Sequence, residues 1–238
     1  MLVCALLVCH AQTSTRVVDT VAVTGRIELE DGATNKKMGN VSDAVVWLDP
    51  AQRAEVPTPP PSGHSDHLRL AQYNKSFEPS LLVVPVGSVV EFPNRDPFFH
   101  NVFSLFESKR FDLGLYEAGS TRNVVFDRPG ISYIFCNIHP EMSAVVIALE
   151  TRYYGVSNPR GEILIRSVPP GRYVMHVWHQ SSLPETLNGL TREVAISESE
   201  PSLGVIRVAE TTLRQTHKNK YGRDYDPSAP TNPAYQHP

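Results

Sequence analysis

The chain has 238 residues, 41% of them hydrophobic, and carries a net charge of −3. That is enough apolar material for one large or two small cores. The charges are scattered, so neither a basic footprint for nucleic acid nor one for an anionic membrane surface stands out.

Residues Met1 to Ala11 form an apolar stretch ending in a small residue and read as a short secretory signal cleaved after Ala11, with Cys9 three positions before the cut. The stretch is too short to span a bilayer, and no membrane span is expected elsewhere. A lipoprotein reading at Cys9 is weaker, because the preceding Val8 is not small. Export places the protein in a periplasm or outside the cell. Loss of Cys4 and Cys9 leaves Cys136 as the one thiol of the mature chain. An unpaired thiol in an oxidising compartment has to be buried or bound to a metal.

Val21, Val23, Ile27 and Leu29 alternate with Ala22, Thr24, Arg26, Glu28 and Glu30, the pattern of a half-buried strand. Runs rich in β-branched and aromatic residues follow at 44–48, 81–84, 89–92, 124–126, 132–135 and 145–149, then at 163–165, 173–178, 194–196 and 205–208. Turn signals such as Pro85-Val86-Gly87, Arg128-Pro129-Gly130 and Pro169-Pro170-Gly171 separate them. No segment sustains a helical period, and 104–117 has room for one helical turn at most. The expected fold class is all-β, built of sandwiches. Pro57, Pro59, Pro60 and Pro61 mark 51–72 as a linker, and the polar, proline-containing 211–238 as a disordered tail.

After the run at 132–135 comes Cys136-Asn137-Ile138-His139-Pro140-Glu141-Met142, so a strand delivers a thiolate into a loop that also carries an imidazole and a thioether. A His₂Cys set with a long axial Met is the ligand field of blue-copper electron-transfer sites. Zinc gains little from a thioether, and no second Cys is present in the motif. A second imidazole is available at His100, in Pro97-Phe98-Phe99-His100-Asn101. Taken singly, Cys136, His139 and Met142 each fit a purely structural role; together they fit one copper ion. His176 and His179, three apart on a predicted strand, face opposite sides and do not chelate together. His64 and His67 sit in the linker without a third ligand, and His217 and His237 in the tail carry no argument.

On these residues the stretch 73–150, about a third of the chain, resembles a cupredoxin of the plastocyanin and amicyanin type. The resemblance implies a Greek-key β-sandwich with metal ligands His100, Cys136, His139 and axial Met142. It also implies that Asn101 ties the two ligand loops together near the Cys sulfur. Gly25 and Ala44 to Leu48, with Tyr154 to Ile163 running into Val168-Pro169-Pro170-Gly171-Arg172-Tyr173, resemble a carboxypeptidase-regulatory-like or transthyretin-like sandwich. That second sandwich is discontinuous, 12–50 with 151–210, and the cupredoxin is inserted in it or packed beside it. The whole is similar to periplasmic proteins of the methylamine-utilisation type. A piece spanning 73–150 is then expected to bind copper alone, and 12–49 to need 151–209.

The function this implies is a mononuclear type 1 copper protein, an electron carrier cycling between Cu(I) and Cu(II) and docking transiently on a protein redox partner through Phe98, Phe99 and Pro140. Copper delivery or storage, and a non-redox interaction module braced by copper, are the alternatives. No enzyme is expected, since no residue can be named to orient a Cys136 nucleophile or receive an oxyanion.

Overall fold

The computed structural model describes residues 19–31, 41–52, 68–106, 108–211 and 217–225. The signal segment 1–11, the proline cluster 57–61, and His64, His67 and His237 lie outside the described residues. The strands, in chain order, are β1 (Val21–Asp31), β2 (Val45–Pro50), β3 (Ala71–Tyr73), β4 (Ser76–Glu78), β5 (Leu81–Pro85) and β6 (Ser88–Pro93). Then come β7 (His100–Phe106), β8 (Lys109–Tyr116), β9 (Thr121–Phe126), β10 (Gly130–Cys136) and β11 (Ser143–Leu149). The chain continues through β12 (Tyr154–Val156), β13 (Glu162–Val168), β14 (Gly171–Trp178), α1 (Pro184–Gly189), β15 (Arg192–Ile196) and β16 (Ser202–Glu210). The fold is all-β, and α1 is too short to leave a period in the sequence.

Strands from the two ends of the chain pair with each other, in the orders β13-β1-β16 and β12-β2-β14-β15. The middle strands form a five-stranded sheet, β5-β11-β10-β7-β8, with the pairs β6-β9 and β3-β4. In β1 the alternation works as the pattern requires: Val23, Ile27 and Leu29 are buried.

Two apolar cores result, one around Val23, Leu48, Ile165, Met175 and Val208, the other around Phe92, Val102, Tyr116, Ile134 and Cys136. Strand β11 serves both. Val145, Ile147 and Leu149 enter the first core, and Ala144, Val146 and Ala148 the second. Burial on both faces is why 143–149 reads as a continuous apolar run rather than an alternating one.

Three local expectations need correction. Residues 68–72, assigned to the linker, are ordered: Leu70 is fully buried, its N–H donates to the Glu91 carbonyl (2.9 Å), and Ala71 opens β3. The prolines end before Leu68, and the apolar residues after them pack on the second core. Where a helical turn had room, strands β7 and β8 pair antiparallel instead, with Asn101 opposite Leu115 and Ser104 opposite Phe111. Part of the tail, 217–225, is not a disordered end but lies against the loop that follows β10. His176 stacks on Trp47 at 5.1 Å and His179 is buried, so these two histidines do not share a site.

Candidate metal centre

Strand β10 alternates inward through Ser132, Ile134 and Cys136, which places the thiol at the buried end of the strand. Beside it Cys136 pairs with Val102 of β7, and β7 begins at His100. The chain then turns back on itself: the Met142 N–H donates to the His139 carbonyl (3.0 Å) and the Cys136 N–H to the Met142 carbonyl (3.3 Å). Cross-strand pairing thus brings His100 to Cys136, and a closed loop brings His139 to both.

The donor atoms form a nearly regular triangle. Cys136 Sγ lies 3.7 Å from His100 Nδ1 and 3.6 Å from His139 Nδ1, and the two nitrogens are 3.2 Å apart. A point equidistant from all three sits about 2.0 Å from each, the length of a metal–imidazole bond and a little under the roughly 2.3 Å of a metal–thiolate bond. His100, Cys136 and His139 therefore form a group able to hold a metal ion. His100, Cys136 and Met142 are buried, and His139 is half-buried, the one of the four that approaches solvent. Met142 packs in the same core as Cys136.

The protonation states suit a metal. Burial holds the His139 imidazole down to about 4, helped by the adjacent His100, and burial likewise lowers His100 against the opposing pull of Asp96. Both rings are then neutral near pH 7 and present lone pairs. Burial pushes the Cys136 thiol up, while backbone N–H groups of Asn101, Ile138 and His139 directed at the sulfur act to lower it. Those three donors are placed to stabilise a thiolate once a cation has displaced the proton.

Over part of its length the chain is similar to solved copper proteins of the cupredoxin kind. A copper-containing nitrite reductase from Thermus scotoductus SA-01 is 26% identical over 35% of this chain and 22% of its own, with a TM-score of 0.34. A purple cupredoxin from Nitrosopumilus maritimus is 24% identical over 34% of this chain and 98% of its own, TM-score 0.31. An amicyanin variant in its Cu(I) form is 19% identical over 44% of this chain and 98% of its own, TM-score 0.34. No family model matches the chain, and no curated protein matches it.

Asp96, which the sequence reading passed over, completes the surroundings of His100. Its Oδ2 lies 2.8 Å from His100 Nε2 and also accepts the Lys75 N–H (3.0 Å), while Oδ1 accepts the Asn74 N–H (2.7 Å). Asn94 shapes the turn that presents it, donating to the Phe98 carbonyl (2.7 Å) and accepting the Asp96 N–H (3.0 Å). Burial acts to raise the Asp96 carboxyl, but the N–H groups of Lys75 and Asn74 together with His100 bring it below its usual range. A carboxylate there fixes the proton of His100 on Nε2, leaves Nδ1 free, and makes the ring a better donor.

Asp96→Asn tests this directly. Every partner of the Asp96 carboxylate is a donor, so an amide NH₂ would face an N–H in either orientation. Metal affinity is expected to fall about 10–100-fold, the usual cost of losing a partner outside the ligand set. Chelator competition reads it; an unchanged affinity would remove Asp96 from the site.

Asn101 sits where its backbone N–H meets the Cys136 sulfur, yet its side chain does not tie the two ligand loops to each other directly. Its Nδ2 donates to Asp112 Oδ1 of β8 at 2.6 Å. Phe98 stands over both imidazoles, with ring centroids 5.2 Å from His100 and 5.6 Å from His139. Phe99 is 49% exposed and Pro140 is also exposed.

Proposed function

We propose that this chain binds one copper ion as a type 1 centre and serves as an exported electron carrier. The observation that carries the reading is the convergence of two neutral imidazoles and one thiol on a common point inside an apolar core, with a thioether in the same loop. Copper, when bound, supplies one-electron chemistry between Cu(I) and Cu(II). The residues supply the rest: His100 and Cys136 on adjacent strands hold the donors at fixed spacing, and the apolar core keeps water from reorganising around them. Soft donors beside borderline ones suit both oxidation states in one geometry. An intense visible absorption band on adding Cu(II) to the metal-free protein is the expected result. Tight Cu(I) binding without such a band on oxidation would assign copper delivery instead.

Strand pairing supports the insertion reading, since among the described residues β1 and β2 pair with strands that follow residue 150. The exposed approach to the centre is the His139 edge, beside Phe98 and Phe99. Among the described residues no helix is long and apolar enough to cross a membrane. A small apolar face gives a redox partner close approach and fast release. Phe98→Glu is expected to slow electron exchange with such a partner at least tenfold, about 1.4 kcal/mol of docking free energy, with little change in spectrum. Stopped-flow rates equal to those of the parent protein would move the docking site elsewhere.

A further inference from the structure

Segment 217–225 grips the ligand loop at three points. Tyr225 Oη–H donates to the Cys136 carbonyl (2.8 Å), His217 Nε2–H donates to the Pro140 carbonyl (2.6 Å), and the Lys220 N–H donates to Asn137 Oδ1 (3.0 Å). His217 also stacks on Phe135, the residue before Cys136, with ring centroids 4.0 Å apart. A fourth link reaches the other ligand strand: Lys220 Nζ pairs with Asp112 Oδ2 (2.8 Å), and Asp112 Oδ1 holds the side chain of Asn101, next to His100.

The segment is preorganised for this. Asn219 Oδ1 accepts the N–H groups of Tyr221 and Arg223, the Asn219 N–H donates to the Arg223 carbonyl, and Gly222 takes the left-handed φ of +74° that the turn needs. One side of the segment borders a cleft of about 1120 Å³ whose walls include Phe103, Tyr133 and Phe135. Its grip is therefore made of directed polar contacts and one ring stack, not of core packing.

We infer that 217–225 is a strap that positions the metal-ligand loop, with Tyr225 and His217 as its positioning residues. Cys136, Asn137 and Pro140 are each held by a group more than eighty residues away or close to it in sequence. The loop that carries two of the three converging donors is thereby fixed before any ion arrives, which lowers the ordering cost of binding. The inference rests on the copper reading for only one of its two readouts.

The experiment compares the full-length protein with Tyr225→Phe, His217→Ala and their combination, and with Lys218→Ala, which removes only the exposed pair with Asp224. In the metal-free protein, amide exchange at 137–142 is expected to quicken about fivefold in Tyr225→Phe, which loses one hydrogen bond to the loop, further in His217→Ala, which loses the Phe135 stack as well, and more than tenfold in the double variant. The urea midpoint should fall by no more than the loop's own change accounts for, about 1.4 kcal/mol per tenfold, and Lys218→Ala should change nothing. In the loaded protein, transfer of Cu(I) to a competing chelator should quicken by a similar factor. Unchanged loop exchange in the double variant would overturn the strap, and so would exchange that quickens more in the two cores than in the loop, which marks a brace of the whole fold. A parent protein that takes up no copper would sink the copper reading while the metal-free comparison still decides the strap.

Discussion

Cys136→Ser is expected to abolish the visible charge-transfer band of the copper-loaded protein while leaving the fold in place. Of the three atoms that converge on the centre, the sulfur is the only soft one, and the band requires thiolate density to pass to Cu(II). A serine hydroxyl is hard, stays protonated near neutral pH and sits on a shorter bond. The fold should tolerate it, because the replacement is nearly isosteric and the N–H groups of Asn101, Ile138 and His139 that face the sulfur can donate to oxygen instead. Copper affinity should fall by more than the roughly 10–100-fold that outer partners command. Absorption and EPR spectra of the variant titrated with Cu(II), beside a far-UV spectrum matching the parent, would establish both halves. A band that survives in the serine variant would place the chromophore away from Cys136.

The parts of this site that were legible in the sequence are those whose chemistry is written locally. Cys136 and His139 fall in one heptapeptide after a strand, and His100 precedes the next inward-facing residues of another. Asp96 was not legible, because a polar turn conceals which of its side chains point inward. The signal available was an acid four residues before a candidate ligand, with Asn94 two residues before it and Pro97 directly after. The strap was hidden for a different reason. Composition marks a polar, proline-containing tail as disordered, whereas the contacts that order 217–225 come from residues near 112 and 136–140, which no local window contains. The prolines themselves begin at Pro227, after the strap has ended. For the fold, alternation located most strands, but the hairpin at 104–117 and the ordered start at 68–72 depended on partners across the sheet.

The double duty of β11 changes what a piece of this chain should do. An excised 73–150 fragment, expected from the sequence to bind copper alone, would expose Val145, Ile147 and Leu149, which the first core now buries. Leu81, Val83, Ile131 and Tyr133, partly buried against the same core, would be uncovered with them. At about 1.5–3 kcal/mol for each fully buried aliphatic side chain, the loss rivals the roughly 5–15 kcal/mol that holds a domain together. The fragment is therefore expected to aggregate or to hold copper weakly, because the loop that carries Cys136, His139 and Met142 runs straight into β11. Val145→Thr, Ile147→Thr and Leu149→Thr together should rescue it, since threonine keeps the β-branched fit to a strand while making the bared face wettable. In the full-length chain Ile147→Ala alone should cost about 2–5 kcal/mol, as a cavity at a fully buried position does. Sedimentation and copper titration of the two fragments decide the matter. An unmodified fragment that stays monomeric and binds copper as tightly as the whole chain would show that the first core adds nothing to the metal centre.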